Sequence, residues 1–258
     1  MSAAPTAMPI YPGVAVASPR ATARLAGTLY LISGVPAGFS VYVFLKLVVR
    51  GDPAATATNI LGSEGLFRLG FVADLVGILF FVGAMLLLYE LFRPVSRSLA
   101  LLLLCLSLIG STIQALDAIR DLAALLLLKG GAGLTAFTTG QAQALALLCL
   151  RLHVLTYNLA LVFFGCSTAL MGYLILRSTF LPRILGVLMM IDGVGYLTFS
   201  LATFLSPPLA AHLYPYLPFS TALLGELPMM LWLVVKGVNV GRWEERAAAG
   251  VASLTPAG

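Results

Sequence analysis

Leu99 to Leu128 reads LALLLLCLSLIGSTIQALDAIRDLAALLLL. A helix needs about 20 mostly apolar residues to span the hydrocarbon of a bilayer, and this stretch exceeds that. It nonetheless carries Asp117, Arg120 and Asp121. A charge at mid-bilayer costs roughly 2.5 to 3.5 kcal/mol on insertion scales, so these side chains must face a protein interior or a watery cavity. Gln114, Asp117 and Asp121 follow i, i+3, i+7 spacing and stack on one helix face, with Arg120 at its edge. That face must look inward.

Five further stretches qualify as spans: Leu25 to Val48, Leu69 to Phe92, Ala142 to Leu176, Leu181 to Leu205 and Phe219 to Val235. With 60% hydrophobic and 10% charged residues in 258, the chain departs far from soluble averages, in which about a quarter of residues are charged. The expectation is an all-α, six-transmembrane-helix bundle over residues 21–240. A disordered tail at 1–20 and a C-terminal tail at 241–258 flank it. No room remains for a soluble catalytic domain. The formal charge of +5 suggests no nucleic acid, because the basic residues are scattered at span ends and form no run. Membrane lipids are the expected surroundings.

With the N-terminus inside, Arg20, Arg24, Arg93, Arg97, Arg177, Arg183, Lys236, Arg242 and Arg246 are cytoplasmic, against Lys46, Arg50, Arg68 and Lys129 outside. The asymmetry follows the positive-inside rule and puts both termini in the cytoplasm. Residues 1–20, rich in Ala and Pro, lack the apolar core of a cleaved signal peptide. Phe92-Arg93-Pro94 and Leu181-Pro182-Arg183 read as tight cytoplasmic turns. The two hairpins they define share an orientation and each carries charge, a hint of parallel duplication. Outside, Asp52-Pro53 supplies an N-cap and first-turn proline for a short helix over Ala54 to Leu61, and Ser63 caps the next. That helix is either a lid or a piece lying on the bilayer.

In this orientation Asp74, Asp117, Arg120, Asp121, Arg151, His153 and Glu226 lie in the outer half of the membrane, and Asp192 sits nearer the middle. Their shared depth predicts a polar pocket open to the extracytoplasmic side. On the fourth span Arg151 and Asn158 share one face, while His153 and Tyr157 share nearly the opposite one. That span therefore belongs at the bundle centre or at a subunit contact. On the fifth, Asp192, Tyr196 and Thr203 form a stripe, which offers Asp192 a phenol as hydrogen-bond partner. Pro228, after Gly225-Glu226, removes a backbone donor and predicts a kink, a pattern repeated at Gly34, Pro36 and Gly38. The competing view is that Arg120 and Arg151 neutralise Asp74, Asp117, Asp121 and Glu226 as structural ion pairs.

Several chemistries find no support. A membrane haem needs two axial histidines, and only His153 lies within a span, with His212 in the last outer loop. No His-Glu-x-x-His helix, nucleotide fingerprint or GxSxG elbow stands in a usable context. Gly130-Gly131-Ala132-Gly133 reads as a flexible outer loop. Cys105, Cys149 and Cys166 lie inside spans without a CxxC pair and read as packing residues. Gly186, Gly193 and Gly195 indicate close helix packing. No catalytic residue, metal site or cofactor is assigned, and the oligomeric state is open.

Through Ala23-Arg24-Leu25-Ala26-Gly27, Asp52-Pro53-Ala54-Ala55-Thr56-Ala57 and Ser63-Glu64-Gly65-Leu66-Phe67-Arg68, the chain resembles the bacterial multi-pass proteins of domain-of-unknown-function family 4386. Leu91-Phe92-Arg93-Pro94-Val95, Phe180-Leu181-Pro182-Arg183-Ile184-Leu185-Gly186, Gly225-Glu226-Leu227 and Val235-Lys236-Gly237-Val238-Asn239 extend the likeness. The resemblance implies a helical protein of a bacterial plasma membrane and carries no activity with it. Pro228 departs from the regular continuation that the resemblance implies.

The functional expectation is a pocket for a small cationic or zwitterionic solute. Its ligand-binding set is Asp74, Asp117, Arg120, Asp121, Arg151, His153, Tyr157, Asp192 and Glu226. The protein would be a transporter or solute sensor, with Asp192 as proton carrier if transport is coupled. The alternatives are an intramembrane enzyme pairing His153 with an acid on a lipid-like substrate, and a scaffold without turnover.

Overall fold

The computed structural model describes residues 18–131 and 134–252, with side chains to residue 249. The expected tail before residue 18, the Ala132–Gly133 part of the glycine loop and the last six residues of the C-terminal tail lie outside it. Nine helices are described: α1 Pro19–Leu47, α2 Pro53–Gly62, α3 Glu64–Phe92, α4 Arg97–Lys129, α5 Thr139–Ser178, α6 Arg183–Leu205, α7 Pro207–Leu213, α8 Tyr216–Val235 and α9 Val240–Ala252. No strand occurs among the described residues. Six of the helices, α1, α3, α4, α5, α6 and α8, are long and apolar enough to cross a membrane. They match the six expected spans, each extended or trimmed by a few residues at its ends.

Local chemistry sets those ends. Ser18, Ser96 and Thr138 accept N-terminal amide bonds from Ala21, Leu99 and Gln141, and the Gln141 side chain returns the bond to complete a capping box at α5. Asp52 caps α2 through Ala55, as expected. Ser63 holds the N-cap position of α3 but makes no side-chain cap bond. Both interior prolines are tolerated: α1 continues through Pro36 and α8 through Pro228 without a break.

The six long helices form a closed ring in the order α1, α3, α4, α5, α6, α8 and back to α1. Helix α5 is therefore one wall of the ring and not its axis. Its two polar faces are served by α4 on one side and α6 on the other. The α5–α6 seam is built on glycine. A β-carbon on Gly172 would fall 2.6 Å from the Gly186 carbonyl oxygen, and one on Gly193 would fall 2.6 Å from that of Gly165. Such backbone contact is how small residues bring membrane helices together.

Apolar clusters lie toward both ends. At the end that holds the start of α1 and the end of α8, Ala23, Leu88, Phe92, Leu103, Ile175 and Leu233 belong to one buried cluster drawn from every wall. At the other end, Ile60 of α2 is buried with Val43, Phe67, Leu125 and Leu150. Helix α2 is thus held in the protein: Asn59 donates to the Leu47 carbonyl, and the Val49 amide donates to the Thr56 hydroxyl.

Candidate functional site

Between the two clusters lies a cavity of about 180 Å³, set at the mid-length of the walls. Tyr30 of α1, Phe81 of α3, Gln114 of α4, Tyr157 and Phe164 of α5, Tyr196 of α6 and Glu226 of α8 are among its lining residues. Tyr30 meets Phe81 edge-on with ring centroids 5.5 Å apart, and Phe81 meets Phe164 at 5.4 Å. This aromatic chain crosses the ring and leads into the apolar cluster below. The Tyr196 hydroxyl donates to Glu226 Oε1 at 3.3 Å. Among the described residues the lining carries one carboxylate and no Lys, Arg or His.

Asp192 stands one helix face away. It is fully buried, and among the described residues the side chain placed to bond its carboxylate is the Thr221 hydroxyl of α8, which donates to the Leu217 carbonyl. The expected Asp192–Tyr196 bond does not form. Asp192 is short and sits against Gly225 at the α6–α8 seam, whereas the longer Tyr196 passes into the cavity and reaches Glu226. Thr203, on the same stripe, donates instead to the Asn158 side chain across the α5–α6 seam at 3.3 Å.

A second polar level lies nearer the α2 end. His153 Nδ1 is 2.8 Å from Asp117 Oδ2 and 3.6 Å from Asp121 Oδ1, and its ring stacks on Phe44 with centroids 5.2 Å apart. Arg120 donates to both Asp117 and Thr156. Asp117 is almost wholly buried; Arg120 on its own helix pairs with one of its oxygens, and His153 of α5 lies beside the other. Gln114 is the joint between the levels: its amide donates to Asp74 Oδ1 at 3.0 Å while it also lines the cavity.

The structure thus brings eight of the nine expected residues to two adjacent levels and leaves one out. Asp74, Asp117, Arg120, Asp121 and His153 make the upper network. Tyr157 and Glu226 line the cavity, and Asp192 abuts it. Arg151 is exposed and makes no hydrogen bond or ion pair among the described residues, so it neither organises nor neutralises the acids. The reason is depth. Asn158 is level with Thr203 near the end of α6, so two turns further along α5 the face that bears Arg151 has passed beyond that neighbour. Nor do the charges share one depth, since Glu226 and Asp192 lie at mid-span.

Tyr30 and Thr156 were not foreseen. A lone tyrosine or threonine within an apolar span carries no signal of its own. The part of Thr156 depends on Arg120 of another helix, and that of Tyr30 on meeting Phe81 of the neighbouring α3. No group of three His, Cys, Asp or Glu residues able to hold a metal ion occurs among the described residues.

Comparison with known proteins gives a family and adds no activity. An uncharacterised protein of Archaeoglobus fulgidus is 28% identical over 152 residues, which cover 58% of this chain and 72% of that protein. No solved structure matches. The model of a family described as "Domain of unknown function (DUF4386)" matches residues 25–237, nearly the whole membrane-spanning region, and this multi-pass membrane protein belongs to that family.

Proposed function

We propose that this protein binds a small cationic or zwitterionic solute in the mid-span cavity, as the seat of a solute carrier or solute-sensing subunit. One observation carries the reading: a single carboxylate, Glu226, stands among the rings of Tyr30, Tyr157 and Tyr196 with no basic side chain in the lining. An unpaired charge in such surroundings is costly. A bound cation offsets that cost, and the faces of Tyr and Phe attract it further. The volume matches a compact solute, since a cavity of roughly 150 Å³ accommodates benzene.

The distribution of basic residues supports termini in the cytoplasm and the upper network on the extracytoplasmic side. In that orientation the solute enters past Asp74 and Gln114 and rests on the aromatic chain. The apolar cluster below it separates the cavity from the cytoplasm. Asp192, beside Glu226, is then placed to hold a proton when the cavity is empty or filled.

The test is thermal unfolding of the detergent-purified protein in tetramethylammonium chloride against sodium chloride at equal ionic strength. A ligand at about a hundred times its Kd stabilises by about 2.7 kcal/mol. The expected result is saturable stabilisation by tetramethylammonium that Glu226→Gln removes and Tyr196→Phe weakens. Equal melting in both salts, or undiminished stabilisation of a folded Glu226→Gln variant, sinks the reading.

The 2.8 Å approach of His153 to Asp117 favours a second reading, an intramembrane enzyme with this pair as acid and base. It is the weaker one, because neither residue lines the cavity. Turnover of an extracted lipid pool by the wild type that is lost in His153→Gln would favour it.

A further inference from the structure

A second cavity, of about 330 Å³, lies at the opposite end of the ring from α2, where α1 begins, α8 ends and α5 turns into α6. It is independent of the mid-span site. Arg20 from α1, Lys236 at the end of α8 and Arg242 from α9 all line it, and no Asp or Glu among the described residues does. Three cations converge there without a counter-charge.

The cations are placed by backbone geometry. Gly237 has φ +68°, and a β-carbon there would lie 3.0 Å from Cγ of Arg20. Glycine at this position lets the chain leave α8 by a left-handed step and lets the Arg20 stem lie across it. The Asn239 amide then donates to the Phe180 carbonyl, tying the chain to the α5–α6 turn. The Asn239 side chain accepts from the Arg242 amide as the cap of α9, so this 13-residue helix begins at the rim with the positive end of its dipole. Arg242 donates one bond to the Thr179 carbonyl, which anchors its guanidinium. Its remaining donors stay available. The side chains of Arg20 and Lys236 make no hydrogen bond or ion pair among the described residues.

The setting is that of a membrane surface. Trp232, an aromatic residue of the kind concentrated at membrane interfaces, lines the cavity with Phe180 and Leu181. Basic pockets between helices at this level suit phosphate-bearing head groups, and clustered donors suit phosphate oxygens.

We propose that this cavity binds a phosphate group, carried by an anionic phospholipid or free in solution, between Arg20, Lys236, Arg242 and the first turn of α9. The bound phosphate would fasten α9 and the start of α1 to the ring.

The experiment is native mass spectrometry of the intact detergent-purified protein with added phosphatidylglycerol, phosphatidylcholine of the same acyl chains, or inorganic phosphate. The wild type is expected to retain phosphatidylglycerol at least fivefold better than phosphatidylcholine. Arg20→Gln/Lys236→Gln should lose that preference, whereas Lys46→Gln/Arg50→Gln, at the other end of the ring, should keep it. A phosphate adduct lost in the same variant, with no preference between the lipids, assigns the site to the free anion. Equal retention of both lipids without a phosphate adduct overturns the proposal. So does a preference unchanged in the Arg20/Lys236 variant or equally lost in the Lys46/Arg50 variant. If the double variant melts early in phosphatidylcholine micelles, Lys236→Gln alone carries the test, because that side chain holds no protein partner.

Discussion

A β-carbon placed on Gly225 would stand 2.7 Å from Cβ of Asp192. Helices α6 and α8 therefore touch where one carries the buried acid and the other, one residue further on, carries the cavity acid Glu226. The contact sets the depth of Glu226. Gly195 against Thr221, at 2.6 Å by the same measure, repeats it one turn nearer the α2 end of the ring.

Gly225→Ala should accordingly destabilise by about 1 to 3 kcal/mol, the usual cost of overpacking, and should displace Glu226 from the cavity. Gly38→Ala is the control. Nothing lies within 4 Å of a β-carbon there, and alanine favours helix by up to about 1 kcal/mol. Thermal melting of the two variants in one detergent compares them, and equal losses would refute the close seam.

Asp117→Asn should cost about 2 kcal/mol, because it weakens charge-assisted bonds in the upper network. Arg151→Ala should lie within about 0.5 kcal/mol of the wild type, as an exposed residue without partners does. Melting curves for both, read together, test whether the buried network and the exposed Arg151 differ as sharply as the structure places them. A large loss at Arg151 would contradict its position.

Asp192→Asn is expected to melt no lower than the wild type, since it removes a charge from a buried site whose neighbouring hydroxyl, Thr221, is already engaged with the Leu217 carbonyl. A loss beyond about 2 kcal/mol, the scale of a hydrogen bond to a charged group, would mean that Asp192 holds an ion or a bond of that kind. The same variant separates stability from coupling: if Asp192 carries a proton, solute-driven pH change in proteoliposomes should vanish while solute binding persists.

Trp243→Phe should release α9. The indole Nε1 donates to the Leu91 carbonyl at 2.9 Å, and Trp243 packs on the terminal apolar cluster. Losing the bond costs about 1 kcal/mol. Limited proteolysis should cut the variant faster within 240–252, with the ring intact. An unchanged rate would show that this bond does not hold α9 down.

The six spans, the short helix after Asp52 and the turns at Arg93-Pro94 and Pro182-Arg183 were all legible from local signals: apolar length, caps and prolines. The face of α4 bearing Gln114, Asp117 and Asp121 was legible too, because helical spacing is a local property. The position of Arg151 was not. Its register with Asn158 was right, but whether a face is covered depends on where the neighbouring helix stops. The partner of Tyr196 was likewise hidden, since stripe spacing offers Asp192 on its own helix and is silent about Glu226 on another.

By itself, then, the sequence determined that this is an all-helical membrane protein with charges that must avoid lipid. The energy of burying a charge or an unpaired backbone in hydrocarbon is large and is decided residue by residue along the chain. Only the tertiary structure decided that those charges divide into an upper network and a mid-span cavity, that α5 is a wall of the ring, and that Tyr30 closes the cage around Glu226. Those outcomes rest on contacts between helices distant in sequence, governed by glycine seams and relative depth, and each such contact is worth too little to leave a signature in one segment alone.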